Sequence, residues 1–550
     1  MPFNSYQFTF AFLPIVLVVY WALVQREMRK SASYWLLLVS VYFYATASLK
    51  GLAIIGCSLL VDFAVARRML RLLPSDQTVR KFLVTLGIVI DVAVLGYLKY
   101  RNFFFDTVNE VFSTHLALTQ TLLPIGISFL TFQKIAFLSD VYSRQVKAVS
   151  APDFFLFSLY FPRATLGPIV RFKEVVPQFA KVNSATMKAD IAVGACLFAI
   201  GLFKKVVVAD NLIDFVSPVF DAPMWYSDSP PALTTAWSGV LAYILQLYFD
   251  FSGYSDMAIG SSRMLGIRLP MNFNSPLKAT GIIDFWSRWH ITFTRFVTSY
   301  MYVPIVMKLT RERLARGLPV LCGRESSVDA VSGLVAVPTL VTMMASGLWH
   351  GAGWQFVIWG LLHGIYLTIN QSWKLWTSNS AISITRRRTT NYVGSFLTLL
   401  AVSVAIVFFR ADSIASAVSI LGGMIGAHGI LPYYLRELPS LGASIPFWGV
   451  WEELSPYRWI FPLMLWVTVL PNSLELLQKY QPALDFRKPA VEPRDMTRLS
   501  RSLQLLRDLR ERIRAGEIPA NAFTVSLFVI VLVSGLLAIG QSSAFIYKQF

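Results

Sequence analysis

Charge is scarce in this sequence, and acid is scarcer than base. Only 15% of the 550 residues are charged, and 31 acids stand against 49 bases, a formal net charge of +18. Soluble domains carry roughly 25% charged residues, so an ordinary soluble fold is excluded. Cysteine is nearly absent: Cys57, Cys196 and Cys322 lie far apart, in or beside apolar sequence. That spacing excludes a disulfide framework, a CxxC redox pair and a thiolate metal site. There is no Walker loop, no HExxH and no GxSxG. Nucleotide hydrolysis, zinc proteolysis and serine-esterase chemistry therefore lack their usual residues. The N-terminus has neither a basic n-region nor a small-residue cleavage site, so the first apolar run is expected to stay in the protein.

Hydrophobic residues fill this space: they make up 55% of the chain, and mean hydropathy is +0.55. Apolar runs of about 17 to 22 residues recur end to end, each able to cross a ~30 Å hydrocarbon core as a helix. The chain reads as an all-α polytopic membrane protein, one integral domain over residues 1–550. Lys and Arg gather in the cytoplasmic loops of such proteins. The net charge therefore needs no nucleic acid, and anionic membrane lipids are the expected partner.

Spans are expected near 8–24, 34–47, 52–66, 82–98, 122–137, 191–208, 236–251, 331–348, 356–369, 393–409, 459–469 and 524–539, with the Gly-rich run 414–430 left open. The total is about eleven or twelve. Ser128, Thr131 and Gln133 make the fifth run polar, which predicts interhelical hydrogen bonds or a lined cavity. Pro162, Arg163, Gly167 and Pro168 break the segment 154–170, which predicts a re-entrant or interfacial piece. The basic, aromatic stretch 262–316 is expected in the cytoplasmic interface, dipping inward. Within 485–518, Leu503, Leu506, Leu509 and Ile513 recur at helical spacing. That predicts an amphipathic cytoplasmic helix lying on the membrane, or a solvated helical loop. Basic clusters at 26–30, 67–71, 386–388 and 498–514 predict cytoplasmic loops, with both termini and 217–231 outside.

One titratable group stands out: His350, in the run Gly347-Leu348-Trp349-His350-Gly351-Ala352-Gly353-Trp354 between two apolar stretches. A titratable side chain at membrane depth is costly, and by default it faces a protein cavity and marks function. Glycines on either side would let the backbone leave helical geometry, tolerated at that depth only against protein or a wet cavity. The bland alternative is a histidine in a surface loop. A second histidine, His290, follows Asp284, Trp286, Arg288 and Trp289. Spacings of i, i+3 and i+4 put Trp286, Trp289 and His290 on one helical face and let Asp284 pair with Arg288. Such a face suits an amphipathic organic ligand, or equally a lipid-headgroup belt. Tyr248, Asp250, Ser252, Tyr254 and Asp256 crowd what reads as the end of the 236–251 span. They could contact substrate or support a catalytic histidine, or form a structural network. His363 lies about 20 Å beyond His350 along a continuous helix and reads as packed or interfacial. His115 and His428 read as solvated.

Longer stretches in this order resemble a known family. They include Pro2-Phe3-Asn4-Ser5, residues 123–144, Gly167-Pro168-Ile169-Val170-Arg171, Gly201-Leu202-Phe203-Lys204-Lys205 with Asp210-Asn211, and residues 248–260. Further on come 272–276 with Asn274, 284–292, 347–360, Phe408-Phe409-Arg410-Ala411-Asp412-Ser413, Leu470-Pro471-Asn472-Ser473, and the tail Phe545-Ile546-Tyr547 with Gln549-Phe550. The sequence resembles the membrane-bound O-acyltransferases, specifically the bacterial branch that O-acetylates alginate. Ser287, where that branch usually has Arg, and Lys548, where an aromatic is common, depart from the pattern. The resemblance implies a ring of helices around a thinned centre, where cytoplasmic and periplasmic funnels meet near the catalytic histidine, in a bacterial inner membrane. His350 matches that histidine, and His290 matches the family's second polar position.

The resemblance further implies transfer of acetyl from cytoplasmic acetyl-CoA, a co-substrate rather than a resident cofactor, toward an extracytoplasmic polysaccharide. A periplasmic SGNH-type acetyltransferase is the expected protein partner. A neutral imidazole can take the proton of an attacking hydroxyl, so His350 is expected as the base. His290 or the Trp289 N–H would steady the donor carbonyl. Trp349, Trp354 and Asn274 are expected to contact substrate, and Arg295, with Arg268 and Lys278, could meet the donor's phosphates. Two other readings stay open: transfer of another acyl group, such as D-alanyl, from a carrier protein, and transport of a saccharide precursor through broken helices.

Overall fold

The computed structural model describes residues 1–118, 123–164, 166–221, 230–377, 384–432, 447–484 and 522–541. Helices dominate these, and the single β-bridge, Pro270 with Leu484, is isolated. Among the described residues six helical stretches are long and apolar enough to cross a membrane: Gln7–Gln25, Leu49–Arg71, Gln77–Phe112, Ser184–Phe220, Val328–His350 and Asn391–Arg410. The chain is a multi-pass membrane protein. Several other expected spans are helical but shorter or more polar, among them Arg29–Ala45, Ile127–Tyr142 and Tyr457–Val469. The proposed amphipathic segment 485–518 and the tail 545–550 lie outside the described residues, as does most of 217–231.

The chain divides into two compact units, one of Met1–Phe203, Ser252–Asn272 and Ser473–Ser542, the other of Lys204–Phe251, Phe273–Asn472 and Ser543–Phe550. In the first unit a buried cation joins three helices. Lys134, on Ile127–Tyr142, lies 3.0 Å from Asp62 of Leu49–Arg71 and also pairs with Asp91 of Gln77–Leu95. A buried lysine is tolerable only when so paired. One residue earlier, Gln133 donates to the Phe157 carbonyl at 3.3 Å and accepts from Arg163. The polarity of this run thus serves interhelical hydrogen bonds. The segment after it is broken as expected: helix Ala151–Leu159, one 3-10 turn at Phe161–Arg163, then residues 166–171 without regular structure before helix Phe172–Phe179.

In the second unit the helices Val337–His350 and Trp354–Trp376 form a hairpin packed backbone to backbone. A Cβ at Gly347 would sit 2.1 Å from the Phe356 carbonyl oxygen, and one at Gly360 would sit 2.3 Å from that of Met343. No side chain fits at either place. This contact fixes the end of the first helix against the second, and His350 is its last residue.

Several boundaries differ from the sequence-based expectation: the stretch expected to end near 98 runs to Phe112, that expected to end near 208 runs to Phe220, and that expected to end near 369 runs to Trp376. The helix expected to end near Phe251 continues unbroken as Leu233–Met264. Its two carboxylates are paired, Asp250 with Lys205 and Asp256 with the Ser473 hydroxyl.

Candidate active site

His350 is 5% exposed and lies within four aromatic rings: Trp349 at 4.8 Å between centroids, Trp359 at 4.9 Å, Phe409 at 5.3 Å and Phe293 at 5.5 Å. The helix stops here, as expected, but not through glycine's conformational freedom. Gly351 (φ −155°) and Gly353 (φ −174°) are extended, which any residue can adopt. The close hairpin packing described above, rather than φ, is what asks for small residues.

Beyond the imidazole is a cavity of about 30 Å³. His350, Trp286, Trp289, Trp359 and Phe409 line it, with Ile244, Leu247, Leu277, Phe285, Val402 and Ile406. So does His363, which is packed, one of the two places the sequence allowed it, but far nearer His350 than expected. Distance along a continuous helix set His363 far from His350, but the hairpin turns back at 351–353. Trp359 then packs on both imidazoles, 4.9 Å from His350 and 4.8 Å from His363. His363 Nδ1 accepts a hydrogen bond from the Trp286 indole N–H at 3.4 Å, which places the ring proton on Nε2.

The expected shared helical face of Trp286, Trp289 and His290 is not formed. Helix Ile282–Arg288 ends before Trp289, which is extended, and His290 takes a left-handed conformation (φ +43°) between two seven-residue helices. A positive φ is uncommon for a non-glycine residue, though histidine tolerates it better than most. The break keeps Trp286 and Trp289 on the cavity and turns His290 away. His290 is 1% exposed and packs on Phe251 at 4.8 Å and Phe293 at 5.0 Å. It lies outside the spanning helices, and burial pushes its pKa down to about 3. Asp284 and Arg288 do pair, at 2.7 Å. Arg288 also donates to the Asn274 carbonyl at 3.4 Å, and Asn274 Oδ1 accepts from Asn472 at 3.1 Å. These four polar residues brace the short helix.

The other candidate residues have the following partners. Lys205 Nζ stands 2.5 Å from Asp250 and 2.8 Å from Asp210, with Lys205 wholly buried. Tyr248 packs edge-on to Phe273 at 6.2 Å. Ser252 and Tyr254 belong to the first unit, where Tyr254 stacks on Phe3 at 5.0 Å. Asp256, in the same unit, accepts from the Ser473 hydroxyl at 2.6 Å. Trp349 stacks on Phe293 at 4.9 Å behind the histidine, whereas Trp354 is 50% exposed and off the cavity. Arg295 is half-buried on helix Ile291–Val297, and Lys278 donates to the Leu470 carbonyl at 2.5 Å. Arg268 donates to Gln481 within the first unit. His115 is exposed as expected, but His428 is half-buried, with Nδ1 3.3 Å from the Pro231 carbonyl. The three cysteines are free. Among the described residues no cluster of His, Cys, Asp or Glu is placed to hold a metal.

The sequence reading missed Trp359, His363, Phe293 and Phe409. A signal for the first two was present: they are four apart, hence on one helical face, on the helix that turns back from His350.

The arrangement offers an imidazole among indole rings at a small, mostly apolar cavity, equipment for moving a proton where water is limited. Comparison with known proteins agrees with acyl-transfer chemistry. The model of the membrane-bound O-acyltransferase family matches residues 9–321, ending ahead of His350. The chain is 35% identical over 468 residues to the peptidoglycan O-acetyltransferase of Helicobacter pylori, covering 80% of this chain and 82% of that one. It is 35% identical over 420 residues to the probable alginate O-acetylase AlgI of Azotobacter vinelandii, covering 75% and 76%. The teichoic acid D-alanyltransferase of Streptococcus thermophilus is 29% identical over 258 residues, 46% of this chain and 59% of its own. This chain belongs to the membrane-bound O-acyltransferase family and is an acyltransferase.

Proposed function

We propose that the protein moves acetyl from cytoplasmic acetyl-CoA to hydroxyls of an extracytoplasmic glycan, through a periplasmic SGNH-type acetyltransferase. The observation that carries this is His350, held at a helix end against a cavity lined by indole rings. The thioester is already activated, so the protein must position it, take the nucleophile's proton and stabilise the oxyanion. His350 takes the proton from the attacking hydroxyl. The new C–O bond forms as the C–S bond breaks, and the proton passes to the departing thiolate, so no net proton is left on the enzyme. The Trp289 indole, which lines the cavity, steadies the donor carbonyl. His290 acts as a positioning residue behind Phe293.

The acceptor is an alginate-like polymer or peptidoglycan, the two glycans in the names of relatives with 35% identity. A second reading, transfer of D-alanyl from a carrier protein, draws on the likeness to the teichoic acid D-alanyltransferase. Mass spectrometry of the cell's glycans, with and without the gene, separates the two. O-acetyl esters that vanish with the gene are expected. D-alanyl esters that vanish instead would replace acetyl in this account.

A further inference from the structure

We propose that a groove in the first unit binds an anionic phospholipid of the cytoplasmic leaflet, with cations around its phosphate and an apolar floor under its glycerol end. The groove shares no residue with the cavity at His350.

Shape makes the first argument. The groove measures about 760 Å³, within the ~300–1,000 Å³ of small-molecule sites. Three stretches of chain converge on it: the start of helix Arg29–Ala45, residues 145–153 leading into helix Ala151–Leu159, and helix Phe172–Phe179.

Charge makes the second argument. Arg29, Lys30, Lys147 and Lys173 line the groove against one carboxylate, Asp153. That carboxylate accepts from the Ser150 hydroxyl at 2.6 Å. Among the described residues none of the four cations pairs with an acid. Arg29 donates to the Ala180 carbonyl at 3.4 Å and Lys173 to the Gln145 side chain at 2.5 Å, while Lys30 and Lys147 are exposed. Cytoplasmic loops are basic as a rule, but that rule does not gather cations from separate stretches around one cleft. Left uncompensated there, they favour a phosphate.

The floor decides which phosphate. Val146, Phe172 and Phe179 are buried beneath the cations, and Tyr34 is 56% exposed beside them. A soluble phosphate gains nothing from apolar surface, whereas the glycerol end and first methylenes of a lipid do. An exposed tyrosine next to cations suits headgroup level. Helix Arg29–Ala45 starts just after the membrane-length stretch Gln7–Gln25 ends, so the groove opens where headgroups lie. A lipid bound there ties the three stretches together and stabilises the fold by mass action.

The test titrates the full-length protein in detergent with phosphatidylglycerol or phosphatidylcholine and follows melting. Phosphatidylglycerol should raise the melting point and phosphatidylcholine should not. Lys30→Gln with Lys147→Gln removes two exposed cations, so melting without lipid should stay near that of the wild type. Each basic residue near an anionic lipid contributes about fivefold to binding, so the lipid concentration at half the shift should rise roughly 25-fold. Arg67→Gln with Arg68→Gln removes the same charge from exposed residues outside the groove and should leave the titration unchanged. Equal shifts from the two lipids in the wild type overturn the proposal. So does equal weakening in the two double variants, which would mean diffuse surface charge, or no weakening in either. A shift produced by free coenzyme A and not by phosphatidylglycerol, and lost with Lys30 and Lys147, would overturn it in favour of a soluble nucleotide phosphate.

Discussion

His290 and His350 pack on the same phenyl ring, Phe293, at centroid distances of 5.0 and 5.5 Å. The two histidines singled out by sequence are thus joined through an aromatic spacer, and only His350 lines the cavity. His290 then acts on the reaction through the placement of Phe293. We expect His290→Ala to lower acetyl transfer by up to about 10²-fold, the cost of a small misplacement of reacting groups, with acetyl-CoA binding retained. If it is as inactive as His350→Ala while donor binding is unchanged, the two rings act as one catalytic unit and this division of roles fails.

Gly347 lets the helix that ends at His350 lie close against the next. A methyl there meets the Phe356 carbonyl oxygen at 2.1 Å, and that oxygen is backbone and cannot swing aside. Gly347→Ala should destabilise the protein by about 1–3 kcal/mol, as overpacking typically does, and lose activity. Melting in detergent checks the first outcome. A variant with the wild-type melting point and full activity would show that the hairpin spreads freely.

Asp250 is engaged by the wholly buried Lys205. Lys205→Met leaves buried carboxylates without their cation, a change that typically costs about 3–5 kcal/mol. Folded protein should fall sharply, and Lys205→Met with Asp250→Leu should recover part of it. A Lys205→Met protein that folds normally but shows a raised KM for donor or acceptor would return Asp250 to the substrate site.

Sidedness follows from the basic clusters. Positions 26–30, 67–71 and 386–388 should face the cytoplasm, with both termini and 217–231 outside. Single cysteines in a Cys-free background, probed with an impermeant thiol reagent, read this directly. Labelling of position 387 from the periplasm, or of position 228 from the cytoplasm alone, would invert the topology and the cross-membrane transfer with it.

Much of the helical plan was legible because apolar run length is a strong signal in membranes. His350 was legible for the complementary reason, a titratable group among apolar residues. The Asp284–Arg288 pair followed from spacing alone. What sequence could not convey was where helices stop and what they meet on folding back. Periodicity carried the 282–292 face straight through Trp289, but the chain breaks there and His290 goes left-handed. His363 looked remote because separation along the sequence says nothing of a hairpin. Asp250 stayed open between a substrate contact and a structural network because its partner, Lys205, lies 45 positions earlier in the chain.

The central claim is that His350 is the general base. Its most direct test is the rate of thioester loss from acetyl-CoA in membranes carrying wild type or His350→Ala at matched protein levels. Loss of a general base typically costs about 10²–10⁴-fold, and a fall of that size with membrane insertion intact is expected. Acetyl transfer near the wild-type rate in His350→Ala would contradict the account.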